Sequence, residues 1–182
     1  GTYYIAGAFK FDGKDDNIIF DHKPTYNVAP GLSYAMTVVS WFDSGNTAAA
    51  VKTLVSKNDP FFTRGFELYQ TGANLGVIIE TYAPENVVIA NNVISSNTWY
   101  QAAFTYDGSD IKLYLNGQQI AASPGGGTGF PDSQEPIYIG AREGATPNTY
   151  FGRIAITELH DRLFNADEIQ HNFAKSRGRF GI

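Results

Sequence analysis

The sequence predicts an all-β fold, a sandwich or jelly roll of two antiparallel sheets, with one short helix near the C-terminus. Three observations predict it. Apolar residues make up 43% of the 182-residue chain and aromatic residues 14%, ample for a buried core, while charged residues reach only 17%, low for a helical or disordered protein. Short runs of β-branched and aromatic residues recur along the chain, each bounded by Gly, Pro, Asn or Asp. Only one segment, close to the end, carries helix signals. The length suits one domain, residues 1–182, and the glycine cluster "SPGGGTGFPDSQEP" reads as a long surface loop, being too short for an interdomain linker.

The elements follow in order. Strands are predicted at Ala8 to Phe11, Asn17 to Phe20, Tyr34 to Phe42, Thr53 to Ser56, Gly65 to Gln70, Gly76 to Tyr82 and Val87 to Ala90. Trp99 to Tyr106 alternates Tyr100, Ala102, Phe104 and Tyr106 with Trp99, Ala103 and Thr105, which predicts a strand buried on both faces. Asp107-Gly108 starts a turn, and Asn116-Gly117 suits the positive φ angles of a two-residue hairpin between Ile111 to Leu115 and Gln118 to Ala122. These three strands form a meander. Pro136 to Gly140 and Gly152 to His160 complete the strands. In "FNADEIQHNFAKSRG", Asn165 is a cap with Glu168 three residues on, and Ile169 and Phe173 share a helix face. Lys175, Arg177 and Arg179 then make a basic tail, read as a solvated terminus or a docking segment.

Composition narrows the function. The formal net charge of −5 gives no general attraction to phosphate backbones, so nucleic-acid binding by a broad basic face is excluded. Without cysteine there is neither a disulfide framework nor a thiolate metal site or nucleophile. No glycosylation sequon occurs, and no apolar run approaches the ~18 residues of a membrane span. His22, His160 and His171 are scattered, with no evident nucleophile beside them. The glycines of "GGGTGF" do not join a strand to a helix, so a phosphate cradle is not supported.

Four stretches taken together carry a family resemblance: "AFKFDGKDDNIIF", "TLVSKNDPFFTRGFELYQTGANLGVIIE", "NTWYQAAFTYDGSDIKLYLNGQQIAAS" and "PIYIGAREGATPNTYFGRIAITELHDRLFNADEI". In this order they resemble the laminin-G-like branch of the concanavalin A-like lectin and glucanase superfamily over nearly the whole chain. The resemblance implies a concanavalin A-like jelly roll and leaves function open, since that fold hosts lectins, glycanases, adhesins and structural modules. The C-terminal "EIQHNFAKSRGRFGI" resembles the ends of laminin-G-like proteins carried on particles of tailed bacteriophages. A chain that closes directly after the domain is the expectation for a small stand-alone virion protein.

The same resemblance frames three chemistries. Glucanases of the superfamily set two carboxylates on one strand face in a Glu-x-Asp-x-Glu pattern, as retaining glycosidases need. That spacing is absent here; the nearest pairing, Glu80 and Glu85, is interrupted by Pro84, so the expectation is a protein without enzymatic activity. Related domains often carry calcium near a turn such as "DGKDDN", where Asp12, Asp15, Asp16 and Asn17 cluster oxygen ligands; the alternative is an Asp-rich turn solvated by water. The family's acidic residue in the last long strand is replaced by Ala155.

Sugar binding needs aromatic faces for the apolar side of a pyranose and planar polar groups for its hydroxyls. Asn58, Phe61, Phe62 and Arg64 in "KNDPFFTRG", Tyr82 and Asn86 in "TYAPEN", and Arg142, Asn148 and Tyr150 in "GAREGATPNTYFG" are the candidates, each with the alternative of covering an open end of the sandwich. The resulting expectation is a non-catalytic recognition module, outside cells or on a virion surface, that binds glycan. Its rivals are a decoration protein that packs Phe61, Phe62 and the "RGRFGI" tail against neighbouring virion subunits and oligomerises, and a glycanase with displaced carboxylates.

Overall fold

A computed structural model describes residues 3–5, 7–22, 35–58, 65–80, 86–123, 134–142, 144 and 148–182, and of residues 3–5 only the backbone. In chain order the strands are β1 (Tyr3–Ile5), β2 (Ala8–Asp12), β3 (Ile18–Phe20), β4 (Met36–Ser44), β5 (Val51–Asn58), β6 (Gly65–Thr71), β7 (Asn74–Glu80), β8 (Asn86–Ala90), β9 (Trp99–Tyr106), β10 (Ile111–Leu115), β11 (Gln118–Ser123), β12 (Ile137–Ile139) and β13 (Phe151–His160). Helix α1 (Ala166–Ser176) and a 3-10 turn at Arg177–Arg179 follow. They form two antiparallel sheets, ordered β1-β2-β13-β4-β9-β10-β11 and β3-β12-β5-β6-β7-β8. β5 to β8 run consecutively in the six-stranded sheet and β9 to β11 in the seven-stranded one, while β3, β4, β12 and β13 cross between the two. The predicted fold class holds.

Local sequence explains the joints. Asn116 (φ 50°) and Gly117 (φ 79°) make the two-residue turn between β10 and β11, and Asn116 Oδ1 accepts from the Gln101 N–H, pinning that turn to β9. Asp107 Oδ1 accepts from the amides of Ser109 and Asp110, so the β9–β10 turn is held by its first side chain. The meander stands as predicted, and β9 is buried along most of its length. Expected strands are displaced by up to two residues elsewhere: the Tyr34 to Phe42 segment runs as Met36–Ser44 and the Gly76 to Tyr82 segment as Asn74–Glu80. The short strand β1 was missing from the expectation, because three residues carry too little periodicity. The expected glycine-rich surface loop falls mainly at 124–133, outside the described residues.

Core residues from the two inner faces meet between the sheets, with Phe66 edge-on to Phe104 and Phe42 and Phe11 both edge-on to Tyr150. β4 is buried on both faces for a second reason. Outside the seven-stranded sheet, Val39, Ala103 and Tyr114 pack under Phe164 and Ile169, which brings α1 down onto that face. Asn165 and Glu168 cap the helix reciprocally, as the sequence predicts. Beyond the helix, Phe180 stacks on Trp41 at 4.2 Å between centroids and leans on Trp99 at 4.6 Å, while Arg179 donates to the Gly7 carbonyl. The tail that was read as solvated or docking on a neighbour is therefore used within its own chain. Helix α1 and the tail thus cover the part of this outer face formed by Val39, Trp41, Ala103 and Tyr114.

Candidate ligand-binding site

On its central strands β5 and β6 the outer face of the six-stranded sheet is polar and, unexpectedly for such a face, buried. Paired residues in an antiparallel sheet share a side, so the register assigns the face: with Val55 and Leu68 in the core, the pair Ser56 and Glu67 points outward, and with them Ile78 and Tyr138. One step along, Asn58, Gly65 and Glu80 form the next outward row, and on the other side Thr53, Tyr69 and Gly76 form another. Thr53, Ser56, Asn58, Glu67 and Glu80 are each 2% exposed or less. Gly76 is required here, since a Cβ at this position would overlap the Tyr69 ring that lies across it.

Glu67 is the centre of this face. Its Oε1 accepts from Thr53 Oγ1, and its Oε2 from Arg142 Nη1 at 3.0 Å. Arg142 reaches it because the chain after β12 crosses the face: Gly140 N–H bonds to the Leu54 carbonyl, and Ser56 Oγ donates to the Ala141 carbonyl at 3.0 Å. A buried side chain held by an arginine on one oxygen and a hydroxyl on the other is fixed in place. Asn58 differs. It is 1% exposed, yet among the described residues neither its Nδ2 nor its Oδ1 has a hydrogen-bond partner. Two unpaired buried amide atoms cost about 1–3 kcal/mol each, which a stability role does not explain.

The sequence-predicted residues distribute as follows. Asn58 and Arg142 lie on this face. Phe61, Phe62, Arg64 and Tyr82 fall at 59–64 and 81–85, outside the described residues. The described strand ends on either side of them, Asn58 opposite Gly65 and Ile79 opposite Asn86, lie at one end of the six-stranded sheet. Asn148 is half-buried. Tyr150 is a correction: it is wholly buried in the core and its hydroxyl donates to the Asp43 carbonyl at 2.9 Å. Burial, with the negative charge of Asp43 adding to it, pushes its phenol well above the ordinary tyrosine value, so it is a neutral packing residue and offers no ring to a ligand.

Asp12, Asp15 and Asp16 do come together, with ligand oxygens all within 4.8 Å of one another. Asp12 Oδ1 accepts from the Lys14 N–H and Asp16 Oδ2 from the Asp12 N–H, so the turn is shaped by the same side chains. His160 Nε2 lies 3.0 Å from Glu158 and its ring against Phe164, a satisfied surface histidine. Glu67, Thr53, Ser56 and Tyr69 were missed by sequence reasoning. Their signal was the alternation in "GFELYQT", where Phe66 and Leu68 mark the core side and Glu67 and Tyr69 the other.

The result is a two-sheet jelly roll with a helix packed on one outer face and buried polar groups on the central strands of the other. The chain belongs to the concanavalin A-like lectin/glucanases superfamily, whose laminin-G family model matches residues 12–170. No curated protein matches the sequence. Among solved structures, the chain is similar to the binding domain of Paraclostridial Mosquitocidal Protein 1, at 20% identity and a TM-score of 0.78 over 96% of this chain and 46% of that one. It is similar to the receptor binding domain of botulinum neurotoxin D, at 16% identity and 0.70 over 93% of this chain and 44% of that one. It therefore spans less than half of each toxin domain. A third likeness is the Ruminococcus gnavus IT-sialidase CBM40 bound to α2,3 sialyllactose, at 16% identity and 0.66 over 88% of this chain and 97% of that one. At these identities the likeness is one of fold.

Proposed function

We propose that the chain is a non-catalytic, lectin-like recognition module that binds glycan on the outer face of the six-stranded sheet, with the loop residues Phe61, Phe62, Arg64 and Tyr82 completing the site. The observation that carries this reading is the Asn58 amide, buried and unpartnered beside the Glu67–Arg142 pair. A planar amide with one donor and one acceptor face matches adjacent sugar hydroxyls, and a fixed carboxylate and guanidinium orient the rest of the ring. Carbohydrate and receptor binding in the fold's neighbours, the sialyllactose-bound module among them, supports the same reading. Catalysis is disfavoured by the engagement of both Glu67 oxygens.

The proposal extends to setting. The C-terminal resemblance to phage laminin-G-like proteins supports a virion surface, outside the host cell, where many copies would convert weak single-site affinity into avidity. Calcium belongs to the proposal too. An all-oxygen set of three carboxylates on one turn suits a hard cation, and Asp12, Asp15 and Asp16 would hold it. The test is a glycan array probed with the purified protein in calcium and in chelator. Binding that falls with Asn58→Ala or Phe62→Ala is the expected result. Silence in both conditions from a folded sample would reject the glycan role and favour packing against other virion subunits. In parallel, thermal melts should rise with millimolar calcium and lose that response in Asp15→Asn; melts indifferent to calcium reject the metal.

A further inference from the structure

We infer that β8 is a dimer interface, where a second copy of the chain adds its own β8 in antiparallel pairing and joins two six-stranded sheets into one. β8 closes its sheet at one edge, and among the described residues its backbone bonds only to β7. An open edge presents a row of N–H and C=O groups, and folds blunt such rows with short strands, bulges, charges or proline. Among the described strands, the other three edges are blunted. β1 and β3 have three residues each, and β11 bulges at Ile120, which its ladder with β10 leaves unpaired between Gln119 and Ala121. β8 has none of these devices. Its five residues keep an unbroken register with β7 from Asn86 to Ala90, and neither a charged residue nor a proline occurs between Glu85 and Asp107.

The occupant is a second copy because the strand complements itself. Val88 and Ala90 turn into the core, which leaves Val87 and Ile89 on the outer face, 38% and 44% exposed. A two-fold axis perpendicular to the sheet, passing between the Val88 residues of the two copies, sets Val87 of each opposite Ile89 of the other. Pairs of β-branched residues in such positions stabilise antiparallel strands. The register places Ile89 beside Gly76, which lies under the Tyr69 ring, and Val87 beside Ile78, so one apolar strip crosses the axis. Two copies meet no like charge on this strand, although each chain carries a formal net charge of −5. The same axis keeps the outer faces of both sheets on one side. The pairing does not depend on the glycan reading; together with it, two Asn58 sites face one surface and gain avidity.

The test is sedimentation velocity on the whole chain across a dilution series. The parent should sediment as a dimer that dissociates on dilution. Val87→Lys combined with Ile89→Lys, at two exposed positions, sets lysine opposite lysine twice across the axis and should raise the dissociation constant by about tenfold or more. Val87→Lys combined with Ile89→Glu sets each lysine opposite a glutamate and should bring it back to within about threefold of the parent. Asn58→Ala should dimerise as the parent does, which keeps this result apart from the fate of the glycan site. A parent that stays monomeric throughout, a dimer untouched by the double lysine change, or a lysine–glutamate variant as monomeric as the double lysine one would each overturn the assignment.

Discussion

Two buried residues separate folding from function at the level of single side chains. The buried Asn58 side chain makes no hydrogen bond among the described residues, so Asn58→Ala removes a penalty and no bond. Its stability should stay level or rise by up to about 1 kcal/mol in urea unfolding, with glycan binding lost. Arg142→Ala is a poorer probe, because it strands the buried Glu67 carboxylate at a cost of roughly 3–5 kcal/mol. Tyr150 is the reverse case. Its hydroxyl bond to the Asp43 carbonyl is worth about 1 kcal/mol, which Tyr150→Phe should lose at neutral pH. Because its folded pKa is raised, the stabilisation is complete below the unfolded value of about 10 and is lost as pH climbs through the folded one. Urea unfolding at rising alkaline pH should show the parent protein losing stability more steeply than Tyr150→Phe. Parallel slopes would contradict that assignment.

At the level of elements, α1 and the chain beyond it carry predictions of their own. Asn165→Ala should cost about 1 kcal/mol, the usual price of a lost cap. The Asn165 N–H, and then Arg162, hold the Glu168 carboxylate below its ordinary pKa. The cap's contribution is therefore present above the unfolded value of about 4.3 and fades as pH falls through the folded one. Acid melts of Glu168→Gln should lack that part of the decline. Phe180→Ala should loosen the Trp41 and Trp99 stack, costing about 2 kcal/mol and shifting the tryptophan fluorescence; an unchanged spectrum would refute the packing. This helix and the meander were legible in the sequence because their signals are local: a capping box, an Asn-Gly turn and strict alternation. The tail's role was not. Its partners Trp41, Trp99 and Gly7 are distant in the chain, and nothing in "RGRFGI" announces them.

Across the whole molecule, the jelly roll and the superfamily were readable because period-two patterning repeats over a dozen short strands. Half of the site was hidden for the same reason. Polar residues alternating with a core face, such as Glu67 and Tyr69, read as solvent-facing until the register and the chain crossing at Arg142 bury them. Loops were favoured as ligand-bearing because they are polar and aromatic, and Tyr150 was drawn into that set by its neighbours although it fills the core.

The central claim is that glycan binds the outer face of the six-stranded sheet, and an array comparison of the parent protein with Asn58→Ala tests it most directly. The account predicts selective glycan signals from the parent and their loss from a variant that melts no lower. Binding that survives Asn58→Ala undiminished, or a folded parent that binds no glycan at all, would contradict it.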